Sequence, residues 1–511
     1  MIQLLALFAA CNGGDAPTDD TSTPDSGDSE AQQDLAPELS ADLEIVEGPT
    51  GSALSVQFTV VDEDPESVVL EASLADALAT GDIDGDSWVG TAGSEVGTTT
   101  LTVTATDAGG QSATLELPLE VYVARTWTGL QVFQGSQDEV LGLDLGLSSQ
   151  GETFAAGYAG TSAIASVLEA DGTMAWTAYY AADSEIGRGI AYDEATGNAV
   201  MTSQKRVSGS NQGAPLVALD DGGGEAWRAS TAYYVSSGYT AGYYVAARDG
   251  VVVQAGPFYD GGAGVSGGWG RLIDASTGDD LGDPIAFTAH NTATNAVGGV
   301  SLMDDGKVLA AGWAAIDFNT GAAATDLKGW VQISEAGQQI PVLWAGIEAD
   351  GADVYARHAL QLSSGEVIVV GETEGDLGPG MTGTRDGFLR LHDASGAELW
   401  TAQIGVAGTS SQLLRAAEGH DGAIYAIGTL GYDSSSTVDG ELLLVRYEAD
   451  GTETWRATLG SDEAVRGRGV GFSGRDVVIT GLTSADMDGL VHGGGTWDSF
   501  VARYSVDGDL Q

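Results

Sequence analysis

From about residue 125 to its last residue the chain repeats itself about every 55 residues, and a repeat of that length limits the fold more than any other feature. The clearest marker is an apolar run that ends in glycine: Phe154-Ala155-Ala156-Gly157, Val253-Gln254-Ala255-Gly256, Leu309-Ala310-Ala311-Gly312, Ile368-Val369-Val370-Gly371, Tyr425-Ala426-Ile427-Gly428 and Val478-Ile479-Thr480-Gly481. The second repeat carries Val200-Met201-Thr202-Ser203 in that slot. A second marker is an apolar strand closed by Asp-Gly, as at Leu443 to Gly451 and Phe500 to Gly508. Asp-Gly suits a tight hairpin, because both central residues must accept positive φ. A tryptophan follows soon after, at Trp176, Trp227, Trp344, Trp400 and Trp455. The third repeat departs, with Asp279-Asp280-Leu281 and no tryptophan.

Each unit therefore reads as strand A, a short turn, strand B ending in glycine, a variable connection, strand C, a tight turn, and strand D with its tryptophan. Four antiparallel strands repeated radially form a β-propeller, which protects the sheet edges that an open array exposes. Glycine at the end of strand B suits close backbone approach between stacked blades. The count comes from the two ends. Trp400 and Trp455 each stand four residues after their turn glycine, whereas the last repeat reaches Gly508 and the chain stops at Gln511. The missing strand D is found at the front, where Trp127 leads to Gly135-Ser136-Gln137-Asp138-Glu139 as Trp455 leads to Gly460-Ser461-Asp462-Glu463. The expected fold is all-β: a seven-bladed propeller over 124–511, closed by the 124–134 strand.

The preceding segments differ in kind. Over 41–123 apolar and polar residues alternate, as in Leu54, Val56, Phe58 and Val60, and again in Leu115, Leu117, Leu119 and Val121. Period two predicts half-buried strands of an N-terminal β-sandwich. Residues 12–40 are Asp, Ser, Thr, Pro and Gly with few apolar positions, so they read as a disordered acidic tether. The stretch Ile2 to Ala10 is apolar and ends at Cys11, the only cysteine, so no disulfide forms within the chain. Such a run is too short to span a bilayer. No Lys or Arg precedes Arg125, so a basic leader is missing from what is otherwise a signal pattern. With 19 Lys and Arg against 74 Asp and Glu, the formal charge is −55. A phosphate backbone would be repelled, which excludes nucleic acid as a partner and leaves cations and cationic ligands.

Several stretches resemble known families. Small residues before Cys11 resemble a bacterial lipobox, which implies cleavage before Cys11, acylation of the new N-terminus, and a lipid anchor in the outer membrane or cell surface. Val61-Asp62-Glu63-Asp64-Pro65-Glu66-Ser67 and Thr104 to Gly110 resemble cadherin-like, immunoglobulin-type modules of bacterial surface proteins. Ser461 to Val470 with Val477 to Gly481, and Trp497-Asp498-Ser499-Phe500-Val501-Ala502-Arg503, resemble the bacterial SBBP propeller repeat, which implies fold and location but no defined activity. The segment Asp393 to Trp400 resembles pyrroloquinoline-quinone-type repeats, which occur in quinoprotein dehydrogenases and in an outer-membrane-assembly lipoprotein.

Catalytic signatures are weak. Gly264-Val265-Ser266-Gly267-Gly268 fits G-x-S-x-G, but the motif needs a strand-to-helix turn and this one falls in a B–C connection. Gly469 to Gly474 fits G-x-G-x-x-G without a βαβ unit. The histidines share no metal spacing. Asp82, Asp84 and Asp86 alternate as Ca²⁺ ligands do, and Asp62, Asp64 and Asp107 stand where cadherin-like modules place acidic residues; the competing reading is a set of solvated acidic turns. On strand A, Arg188, Arg357, Arg415 and Arg468 each fall about six residues before the A–B turn, so an inward-facing set would line the tunnel and hold an anion. The alternative is pairing between blades with carboxylates such as Glu185, Asp353 and Glu463. The long B–C connections and the D–A connections share one face. It carries Asp138, Glu139, Asp183, Glu185, Asp353, Asp462, Glu463, Asp486 and Asp488, and is the expected ligand face for a cationic or Ca²⁺-bridged partner, protein or glycan. The chain is thus expected to be a cell-envelope lipoprotein for binding or scaffolding, with an envelope enzyme or quinoprotein-like sensor and an adhesive matrix protein as alternatives.

Overall fold

The computed structural model describes residues 36–510, apart from 44, 50, 63, 76, 94–96, 123–130, 134–139, 160–161, 171, 181–184, 206–210, 230–237, 261–264, 288–294, 319, 321, 336–341, 433–439, 461–463, 485–496 and 509. Cys11, the tether up to residue 35, and Asp138, Glu139, Asp183, Asp462, Glu463, Asp486 and Asp488 lie outside the described residues. Among the described residues the structure is strand and turn, with one short 3-10 turn at Pro65–Ser67.

Residues 38–122 form two four-stranded sheets, one built on Ala53–Val61 and Ser87–Ala92, the other on Gly97–Thr106 and Ser112–Tyr122. The alternation read in the sequence sets which face is buried. Leu54, Val56 and Phe58 from the first sheet meet Leu101, Val103, Leu117 and Leu119 from the second around the fully buried Trp88.

Beyond residue 130 the chain has the architecture of a β-propeller. Antiparallel four-stranded meanders follow one another in chain order, pairing A with B, B with C and C with D, except that the third sheet has six strands and includes a parallel pairing of Asn211–Gln212 with Gly238–Thr240. Their inner strands include Val140–Leu147, Glu185–Asp193, Asn295–Leu302, Val354–Gln361, Ser410–Glu418 and Val465–Ser473. Strands B and C lie between two neighbouring sheets, so they are apolar without alternation; Val367–Thr373 and Asp386–His392 are buried at every position. The outer strands, such as Glu453–Leu459, expose every second residue. Each pair of consecutive sheets shares an apolar core. Leu145, Leu147 and Leu168 of the first also pack with Val478 and Val501 of the last. That last sheet runs Val465–Ser473, Asp476–Thr483, Asp498–Tyr504 and then Gln131–Phe133, with Val132 opposite Phe500.

The tryptophan and Asp-Gly markers turn out to be two halves of one joint between sheets. The indole N–H of Trp176 donates to the Asp221 carbonyl at 2.9 Å, in the C–D turn of the next sheet. Trp227 donates to Ala275 at 2.8 Å, Trp400 to Ala449 at 2.9 Å, and Trp455 to Val506 at 2.8 Å. The turn glycine beneath each ring has no room for a side chain: a Cβ on Gly451 (φ +87°) would sit 2.9 Å from the Trp400 ring. Glycine there serves both the positive φ and the indole.

The third repeat is irregular in structure as in sequence. Its inner strand is split into Gly238–Thr240 and Tyr244–Arg248, both paired with Val251–Asp260. Ser266 of the G-x-S-x-G match lies inside the strand Val265–Asp274, not in the connection before it, and faces Tyr259 across the ladder.

Candidate functional site: an arginine-lined axial cavity

The inner strands share a local defect at one height. Their pairing with strand B slips between Gly142 and Asp144, Gly187 and Gly189, Val297 and Gly299, Ala356 and His358, Leu413 and Arg415, and Gly467 and Gly469. Each slip is a β-bulge that leaves one residue unpaired and re-aims it. The residues skipped are Leu143, Arg188, Gly298, Arg357, Leu414 and Arg468. Where strand B ends in glycine the bulge packs directly onto it, since a Cβ on Gly371 would run into the carbonyl oxygen of Tyr355, and one on Gly428 into that of Gln412, whereas the second repeat forms the same bulge opposite Ser203. The close approach is therefore within one sheet, not between stacked sheets as expected from the sequence.

The bulges converge on a cavity of about 260 Å³ lined by Arg188, Tyr243, Tyr244, Gly298, Arg357, Gln412, Leu414, Arg415 and Arg468. All four arginines singled out on strand A are brought together here. Arg188, Arg357 and Arg468 stand fourth in their strands and Arg415 sixth, which places the cavity toward the strand starts. That is the end where the D–A and B–C connections emerge. Those connections include 374–385 and 484–497, whereas A–B turns such as 474–475 are short. A second cavity of about 250 Å³ lies toward the A–B turns, sharing Tyr244 and Arg415 with the first and bordered by Asp144, Ser301 and His358.

The carboxylates expected to pair with these arginines are engaged elsewhere. Glu185 is buried against Arg228 at 3.2 Å, and Asp353 accepts from the Leu327 backbone N–H at 2.7 Å and the Tyr355 hydroxyl at 3.0 Å. The partners come instead from strand B beside the bulge. Arg188 Nη2 donates to Gln204 Oε1 at 2.9 Å, and Arg357 Nε to the fully buried Glu372 at 3.1 Å, with Nη2 bonded to the same oxygen. Glu372 is shared with Arg385 at 3.2 Å and the Tyr432 hydroxyl at 3.0 Å. Arg415 donates to the Leu414 carbonyl at 2.9 Å and stands 3.8 Å from Asp144. Aromatic faces cover the cations: Tyr243 lies 4.7 Å from the Arg188 guanidinium, Tyr244 5.3 Å from Arg415, and Trp313 4.5 Å from Arg357. The buried Nε atoms of Arg188 and Arg468 have no hydrogen-bond partner among the described residues.

The electrostatics follow from this crowding. Burial, with Arg466, Arg415, Arg357 and Arg188 nearby, lowers the Arg468 pKa to about 10, so it still carries its proton at neutral pH. Burial pushes the Asp144 carboxyl up to about 6 against the pull of Arg415. Burial and then Arg415 drive His358 down to about 3, so its ring is neutral; its Nδ1 lies 3.4 Å from the Ala416 backbone N–H, placed to accept from it.

The six aspartates read as a Ca²⁺ set are not gathered. Asp82 and Asp84 lie on the strand Ala79–Asp84, and Asp86 in the hairpin turn after it, all three exposed. A strand sends alternate side chains outward in a row, not around a common centre. Asp62 caps the Asp64 backbone N–H at 2.8 Å, and Asp107 closes its own turn onto Gln111 N–H at 2.9 Å. Among the described residues no three His, Cys, Asp or Glu come together as a metal-binding group. Sequence reasoning missed Tyr243, Tyr244, Gln412, Gln204, Glu372, Asp144 and His358. The usable signal for the bulges was the triplet Gly-Arg-Gly, present at Gly187-Arg188-Gly189 and Gly467-Arg468-Gly469.

No protein-family model and no curated protein matches the chain. Among solved structures it is similar to a catalytically inactive virginiamycin B lyase from Staphylococcus aureus with quinupristin, at 8% identity over 73% of this chain and 99% of that one, with a TM-score of 0.41. It is also similar to prolyl oligopeptidase B from Galerina marginata, at 11% identity over 72% of this chain and 49% of that one, TM-score 0.41. An α-L-arabinofuranosidase from Fusarium graminearum aligns at 14% identity over 60% of this chain and 90% of its own, TM-score 0.36.

Proposed function

We propose that the chain is a lipid-anchored cell-envelope protein whose seven-bladed propeller, with repeats resembling the SBBP type, binds a partner at the end where its long connections emerge. The N-terminal β-sandwich would act as a spacer between anchor and propeller. Ring closure is supported by the packing of Leu145 and Leu147 against Val478 and by the pairing of Gln131–Phe133 with Asp498–Tyr504. The observation that carries the binding reading is coincidence in place. The cavity where arginines from separate sheets converge lies at the same end as the longest connections. Concave sites lined by a few convergent polar groups on a rigid scaffold are where ligands bind.

The test is a glycan and peptide array probed with the full-length protein and with a variant in which 484–497 is shortened to a tight turn. Capture of a partner by the wild type, lost on shortening and kept when the opposite turn 448–452 is altered, is the expected result. Loss on altering 448–452 alone would place binding at the other end and sink the assignment.

A further inference from the structure

We infer that the axial cavity holds a phosphate-class dianion, either free or as the terminal group of a small molecule. The inference rests on the reading that this cavity belongs to the binding end. It starts from an imbalance of charge. Of the four guanidiniums, Arg357 alone is hydrogen-bonded to a carboxylate, and Glu372 divides itself between Arg357, Arg385 and Tyr432. Gln204, beside Arg188, is neutral. Asp144 stands 3.8 Å from Arg415, beyond hydrogen-bonding distance. Arg468 has neither a carboxylate nor an acceptor for its Nε among the described residues. The walls therefore hold more than one positive charge in excess. A buried charged donor without an acceptor is costly, and an anion in the cavity removes that cost for several donors together.

Geometry narrows the class. Arg188 approaches from the second repeat, and Arg357, Arg415 and Arg468 from the fifth, sixth and seventh, with Tyr243 of the third and Gln412 of the sixth also lining the cavity. At the fourth repeat the lining residue is Gly298, which leaves that side open. Donors arranged around an axis match a tetrahedral oxyanion, which offers oxygens in every direction, better than one planar carboxylate, which guanidinium reads edge-on. A volume of about 260 Å³ falls below the range of about 300–1,000 Å³ typical of drug-sized ligands, so the site suits an ion or a short phosphomonoester. The Gly-Arg-Gly bulges hold the cage open before the ligand arrives, so little reorganisation opposes binding.

Titration calorimetry and thermal melting of the full-length protein test this with inorganic phosphate, sulfate, glycerol phosphate, succinate, and sodium chloride at matched ionic strength. Phosphate and sulfate should bind one per chain and raise the melting temperature in step with concentration. Arg468→Gln and, separately, Arg188→Gln should each weaken phosphate at least tenfold, while Arg248→Gln, whose guanidinium pairs with surface Asp304 at 2.7 Å, should not. Because Arg468→Gln also removes an uncompensated buried charge, the ligand-free variant should melt no lower than the wild type, which separates lost binding from lost folding. Glycerol phosphate binding as tightly as phosphate assigns the site to the end group of a larger molecule, and binding of the inorganic ions alone assigns it to the free ion. No heat with phosphate, equal effects of sodium chloride, tighter binding of succinate, or undiminished binding by Arg468→Gln would each overturn the inference. If phosphate does not bind while the array partner is still captured, only the inference falls.

Discussion

Asp144 shows how one residue feels the crowded axis. Its carboxyl is buried and held at about 6, because losing water outweighs the attraction of Arg415. A folded-state pKa above the unfolded one means that the protonated form gives stability below about pH 4, and that this stability is lost as pH rises through about 6. Asp144→Asn keeps the shape and cannot ionise. The wild type should therefore lose about 1–3 kcal/mol relative to Asp144→Asn between pH 4 and 7, since each tenfold change in proton affinity on folding corresponds to about 1.4 kcal/mol. Urea melts of both proteins across that range would show it, and parallel pH profiles would refute the assignment. His358 opposes this trend in the wild type. Held at about 3, it destabilises the fold as pH falls from 6.5, so the difference between the two proteins is the informative quantity.

At the level of elements, the strand Gln131–Phe133 carries the largest consequence. It supplies the outer edge of the last sheet, pairing with Asp498–Tyr504. Deleting 124–134 should leave that edge unpaired, lowering the melting temperature and promoting association between chains, as light scattering would report. A deletion that remains monomeric and melts with the wild type would show that this pairing contributes nothing. The spacing of Trp127 and Gly135, which copies that of Trp455 and Gly460, pointed to this stretch; Gln131–Phe133 is the part of 124–134 that is seen to pair, while Trp127 and Gly135 lie outside the described residues. The tryptophans and turn glycines were equally legible, since each joint uses the same two residue types at the same positions. The inner strand of the third repeat was not, because its split follows from pairing along Val251–Asp260 and leaves no local marker. The arginines could be found by register, yet their partners could not. Gln204 and Glu372 lie just beyond the end of the strand B run, on a neighbouring strand, and only the bulge brings the arginine to them.

Over the whole molecule, charge is segregated. The chain has only 19 Lys and Arg at a formal charge of −55, and four of those arginines line one cavity. An anion bound in that cavity would have to pass a net-negative exterior before reaching the arginines, so its association should speed up as added salt screens the exterior. The same charge gives the exterior no attraction to an anionic membrane surface, so the proposed lipid at Cys11 is open to a direct test. If Cys11 is acylated, wild-type protein expressed in a bacterial envelope should sediment with membranes, and Cys11→Ser should move it to the soluble fraction. Wild-type protein found wholly in the soluble fraction would remove the anchor from the proposal.

The pairing of Gln131–Phe133 with Asp498–Tyr504 also sets a timetable. Gln131–Phe133 must wait for a strand made hundreds of residues later, so during synthesis the sheets between them can assemble while the seam cannot. Long-range contacts of this kind form late, because the chain must first close a loop that contains all the intervening sheets. A nascent chain stalled before residue 498 therefore holds a last sheet without its third and fourth strands, and Gln131–Phe133 finds its partner only when Asp498–Tyr504 has been made.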